Sequence, residues 1–127
     1  MKVTIYRVVP LFLAGLLLAG GCSRGVQAGA KTREAQQVTV EMSEFKFDPA
    51  TVTVTVNQPV RVSVRNTGAT AHDWTVEGLD RQVKALVQPG QTESIQFTPG
   101  RTGTFRVVCT QPGHEQAGMT GQLAVEN

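Results

Sequence analysis

The chain has 127 residues, of which 12 are Lys or Arg and 10 are Asp or Glu; that is one domain's worth of protein. Lys2 and Arg7 account for the net charge of +2, and from Ser23 onward 10 basic residues face 10 acidic ones, so the clustered positive charge that nucleic acid requires is missing. Two cysteines, Cys22 and Cys109, are too few for a disulfide framework, and an apolar share of 40% excludes a disordered chain.

The first segment reads as a targeting signal. Met1–Arg7 is basic, Val8–Ala19 is apolar apart from Pro10 and Gly15, and Gly20-Gly21-Cys22 follows. A spanning helix needs roughly 20 apolar residues, so this run is read as a secretory h-region and excluded from the fold. Leu18-Ala19-Gly20-Gly21-Cys22 resembles a bacterial lipoprotein signal. That resemblance implies removal of residues 1–21, acylation of Cys22 and an exported, periplasmic protein anchored in a membrane. The competing site is Ala28-Gly29-Ala30, where cleavage would release a soluble protein. Ser23–Gln37 is polar, small and without apolar periodicity, so residues 22–37 read as a tether and 38–127 as the domain.

From Val38 onward no helical stripe is present, and alternation takes its place. Thr51–Val56 sets three threonines against three valines, and Val60, Val62 and Val64 repeat the pattern after the turn Asn57-Gln58-Pro59. His72–Val76 continues it, placing Trp74 on the same face as His72 and Val76, in the core. Ile95 with Phe97, Phe105 with Val107, and Leu123 with Val125 complete the series. Asp48-Pro49, Asn66-Thr67-Gly68, Pro89-Gly90, Pro99-Gly100 and Pro112-Gly113 supply the turns. Seven or eight short strands so punctuated predict an all-β, antiparallel β-sandwich.

Chemistry concentrates in Cys109–Met119, spaced C-x4-H-x4-M, with His72 37 residues upstream of the cysteine. Taken singly, a strand cysteine is a small buried apolar group, a methionine fills gaps, and a loop histidine is solvated. Taken together, the chain's two histidines and the domain's one cysteine and loop methionine form a soft donor set. Phe105, Val107 and Cys109 share a face, so the thiol points inward at the strand's end. The Pro112-Gly113 turn can then bring His114 and Met119 back to it. Thiolate, two imidazoles and a thioether make a trigonal set with a weak axial fourth, which favours one copper ion over zinc or the harder cations.

On these residues the domain resembles the cupredoxins, the type 1 blue copper proteins that include plastocyanin, azurin, auracyanin, rusticyanin and sulfocyanin. Glu44–Pro49 with the Thr/Val strand resembles the opening strands, Asn66-Thr67-Gly68 the approach to the first imidazole, and Cys109–Leu123 the ligand loop. The resemblance implies a Greek-key sandwich, with His72, Cys109 and His114 as equatorial copper ligands and Met119 as the axial one. It also implies single-electron transfer, not enzymatic turnover, by a monomeric domain. Cytochromes or terminal oxidases would dock transiently on the uncharged residues Gln111, Pro112, Gly113, Ala117 and Gly118 around His114, where Glu115 is the one charge. Asp73 stands where many relatives have Asn beside the first histidine, so it is expected to act next to the ligands and to alter the potential. A copper carrier or storage protein would use the same four residues. A Cys–His nucleophile requires an exposed thiolate, which the parity of Cys109 opposes. Gly113 occupies the place of the second cysteine of a binuclear copper site, and two histidines cannot furnish a multicopper oxidase.

Overall fold

The computed structural model describes residues 33–127; the expected signal peptide, Cys22 and the Ala30 site lie outside the described residues. Nine strands run in chain order: β1 (Gln36–Ser43), β2 (Lys46–Asp48), β3 (Thr51–Thr55), β4 (Val60–Asn66), β5 (His72–Val76), β6 (Val83–Val87), β7 (Thr92–Phe97), β8 (Gly103–Val108) and β9 (Thr120–Glu126). They form two sheets, β2-β1-β4-β7 and β3-β9-β8-β5-β6. The inward faces enclose Val40, Met42, Val60, Val62, Val64, Trp74, Val107 and Leu123, all essentially without solvent contact.

The sandwich is the expected one, and its details differ in ways that have physical causes. Two pairings are parallel, β1 with β4 and β3 with β9, because alternation dictates which face a side chain takes and says nothing of a neighbour's direction. Two strands escape the alternation pattern. β2 has three residues, too few to show a period. In β6, Leu86 points outward and is 50% exposed, so Ala85-Leu86-Val87 reads as an unbroken apolar run. β1 begins at Gln36, where nothing apolar announces it, because its main chain pairs with Val60.

One end of the sandwich gathers the termini that matter. β1 and β4 are parallel and end together, with Met42 opposite Asn66. β5 starts there at His72, β8 ends there with Val108 opposite Thr120, and β9 starts there. Asn66 organises this end. Its buried amide donates to the carbonyls of Thr70 (2.7 Å) and Val87 (2.9 Å), and its oxygen accepts from the Gly68 N–H at 2.9 Å. The Asn-x-Gly turn thus becomes a cross-brace between the loop before β5 and the end of β6. Asn66→Ala removes three hydrogen bonds at once, one buried and two partly buried, and is expected to lower unfolding free energy by about 3 kcal/mol. Denaturant midpoints at unchanged slope check this.

Candidate metal centre

His72 is the first residue of β5 and Cys109 follows the last residue of β8; both have no exposed surface. His114 lies half-buried in the loop between Cys109 and β9. That loop is a succession of tight turns. His114 N–H donates to Gln111 O (3.1 Å), Ala117 N–H to Gly113 O (3.0 Å), and Met119 N–H to His114 O (3.0 Å). Cys109 N–H closes the loop on Met119 O at 3.2 Å. Gly113 stands at φ 81°, a left-handed turn that a cysteine would occupy only under strain.

The folding of these segments brings three donor atoms together. The Nδ1 atoms of His72 and His114 are 3.1 Å apart, and the sulfur of Cys109 is 3.4 Å from Nδ1 of His114 and 4.0 Å from Nδ1 of His72. A circle through points so spaced has a radius of about 2 Å, close to the ~2.0–2.3 Å of metal–nitrogen and metal–sulfur bonds. Three lone-pair donors facing one point at that distance fit a single cation. Burial, and then the neighbouring His114 ring, push the His72 imidazole below its ordinary pKa, which keeps it neutral and able to donate to a metal. Met119 is fully buried in the same core cluster as Cys109, and its main chain bridges Cys109 and His114.

Asp73 is the second organising residue. Alternation places it on the outer face of β5, yet it has no exposed surface, because the ligand loop folds over it. Its main-chain N–H donates to the Cys109 sulfur at 3.4 Å. Its carboxylate accepts from the Thr75 hydroxyl (2.6 Å), the Thr110 N–H (3.1 Å), the Thr110 hydroxyl (2.9 Å) and the Gln111 amide (3.0 Å). Burial opposes ionisation, but these hydrogen bonds outweigh it and hold the pKa below the ordinary aspartate value. Lys84 completes the network by donating to the Thr110 hydroxyl at 2.7 Å.

The loop face around His114 is exposed and uncharged at Pro112, Gly113, Ala117 and Gly118. Its one carboxylate, Glu115, is matched by Arg106 at 2.7 Å. Two contacts have no counterpart in the sequence pattern. Phe45, at the turn between β1 and β2, is 48% exposed and packs edge-on to the His114 ring at 5.4 Å. Beside it, Glu44 lies 4.0 Å from Nε2 of His72. Only the rarity of an aromatic at a hairpin tip could have drawn attention to them.

Comparison with known proteins decides the family. Residues 11–125 match the profile of the cupredoxin-like domain. The chain belongs to the cupredoxin-like family. This cupredoxin is 31% identical over 119 residues to the copper-resistant cuproprotein CopI of Rubrivivax gelatinosus, spanning 76% of this chain and 70% of that one. In fold it is similar to the reduced auracyanin of Roseiflexus castenholzii, with a TM-score of 0.67 and 21% identity over 73% of this chain and 98% of that one. It is likewise similar to auracyanin A, a blue copper protein of Chloroflexus aurantiacus, at a TM-score of 0.60 and 24% identity over 71% and 99% of the two chains. Family and donor chemistry agree on the cofactor, one copper ion.

In this cupredoxin Asp73→Asn turns an amide NH2 or a neutral oxygen toward the Thr110 N–H. We expect the copper-free protein to lose about 2 kcal/mol of stability in denaturant titration. The copper-loaded variant keeps its colour with a raised midpoint potential, since removal of a fixed negative charge beside the centre favours Cu(I).

Proposed function

We propose that this cupredoxin is an extracytoplasmic, mononuclear type 1 copper protein that passes single electrons between redox partners. In this reading the Nδ1 atoms of His72 and His114, the sulfur of Cys109 and the Met119 thioether would hold the metal. Copper supplies a one-electron Cu(II)/Cu(I) couple at that point. The protein's residues supply the rest. Asp73 holds the Cys109 and His72 segments in register, the core excludes water from one side, and His114 offers its ring to the other.

The observation that carries the reading is an asymmetry of burial. His72, Asp73, Cys109 and Met119 have no exposed surface, while His114 alone reaches an uncharged, exposed face. An electron can leave through an imidazole edge without opening the site, whereas a metal ion cannot. Small, weakly polar faces suit transient docking, and a cytochrome or terminal oxidase is the kind of partner such a face fits. The signal-like N-terminal sequence supports a domain outside the cytoplasm, tethered through an acylated Cys22; intact mass of membrane-extracted protein separates that form from one cleaved after Ala30.

Addition of Cu(II) to the purified protein is expected to give one equivalent of bound copper and an intense thiolate-to-copper band, absent in Cys109→Ser. A colourless, copper-saturated wild type would sink the reading. Ala117→Glu, which places a charge on the face beside His114, is expected to slow electron exchange with a small redox protein about tenfold at unchanged potential and spectrum. Likeness to a copper-resistant cuproprotein favours a second reading, a carrier that delivers copper to another protein. Rapid transfer of the metal to an acceptor chelator, with slow redox response, is the outcome that would select it.

A further inference from the structure

The turn between β1 and β2 lies far in sequence from the donor residues and yet touches both imidazoles. Glu44 and Phe45 form its tip. Phe45 adopts φ 59°, a left-handed conformation that bulky side chains rarely take, and in that conformation its ring meets His114 at 5.4 Å. Glu44 turns the other way. Its carboxylate accepts the N–H of Ala69, in the loop that delivers His72, and stands 4.0 Å from Nε2 of His72.

Consider the His72 ring itself. Nδ1 faces the sulfur of Cys109 and the other imidazole. A ring that donates its Nδ1 lone pair to a metal must carry its proton on Nε2. The ring is fully buried, so that N–H cannot turn to bulk water and needs a negative or accepting neighbour. The structure places two there, the Thr70 hydroxyl at 3.5 Å and the Glu44 carboxylate at 4.0 Å. The space between them is closed. A Cβ built on Gly68 would stand 2.6 Å from the Glu44 oxygen and 3.0 Å from Nε2 of His72, so glycine at this position is what lets carboxylate and ring approach one another.

We infer that Glu44 is a positioning residue of the copper centre: its fixed charge on the Nε2 side of His72 holds the ring in the tautomer that presents Nδ1 to the metal. At 4.0 Å the contact is electrostatic and not a hydrogen bond, a longer-range counterpart, built from a distant hairpin, of the carboxylates that orient metal-ligating histidines. The negative charge also favours Cu(II) over Cu(I), so Glu44 depresses the potential. This inference rests on the copper reading above for its effect on potential, but the effect on tautomer belongs to the metal-free protein.

Glu44→Gln keeps the acceptor for Ala69 and removes the charge, so it separates positioning of His72 from simple bracing of the loop. In the metal-free protein, long-range 1H–15N spectra are expected to show His72 with its proton on Nε2 in the wild type and a severalfold gain of the Nδ1-protonated tautomer in Glu44→Gln. In the copper-loaded variant the thiolate band persists, and the Cu(I)-to-Cu(II) ratio at a given potential rises about tenfold, which is 59 mV upward for a one-electron couple. An unchanged tautomer balance, or an unchanged potential, overturns the inference and leaves Glu44 as a loop brace. A wild type that binds no copper would defeat the functional reading, while the metal-free spectra would still decide the role of Glu44.

Discussion

The ladder between β5 and β8 stops early, and the site depends on what replaces it. Main-chain pairing runs only through Val76 opposite Val107 and Thr75 opposite Val108. Beyond that point Asp73 supplies the next rungs, its N–H to the Cys109 sulfur and its carboxylate to the Thr110 N–H. The two strands can therefore separate enough to admit an ion without losing register. Because Asp73 adjoins His72, fixing it against Cys109 and Thr110 fixes the first imidazole against the thiol. A buried carboxylate is costly unless every lone pair is used, and among the described residues no buried side-chain polar atom lacks a partner.

The placement of the donors follows the same economy of movement. His72 opens a strand and sits in its ladder opposite Val87, while Cys109 follows one strand and Met119 precedes another, so each adjoins a sheet ladder. Such elements keep geometry better than free loops. His114 lies in the middle of the loop, and six main-chain hydrogen bonds within and around it hold that loop in turns. The rigid valine-rich layer beneath, with Val62, Val64 and Val107 fully buried, resists compression. Folding free energy thus holds together three electron-rich atoms that would otherwise separate.

Much of this was legible in the residues, and the limits have clear causes. Alternation revealed the faces of β3, β4, β5, β8 and β9, and the spacing of Cys109, His114 and Met119 marked the loop. Alternation is a one-strand signal, so it could not report that β1 and β4 run in the same direction. It also placed Asp73 outward, which is correct for the strand and misleading for its environment, because a second segment, Thr110–Gln111, covers that outer face. Glu44 and Phe45 were hidden for a different reason. Their roles arise from the return of a hairpin to a site assembled mainly from residues 28 to 70 positions further along the chain, and no local period encodes such a meeting.

Burial also bears on which cargo the site can pass. Releasing a metal ion would require Cys109 or His72 to swing away, and both are anchored by the Asp73 network and by adjoining strand pairs. Opening them means breaking the same bonds that keep the sandwich end closed, a slow event for a well-packed element. Under the proposed electron-carrier reading, moving an electron would ask for none of this. The exposed face supports the same conclusion. With Glu115 neutralised by Arg106, little net charge remains there to steer or hold a partner, so under the proposed function encounters would be brief and weakly dependent on salt. On the proposed reading a brief encounter would suffice for an electron, whereas the alternative carrier would first have to free an ion from three donors.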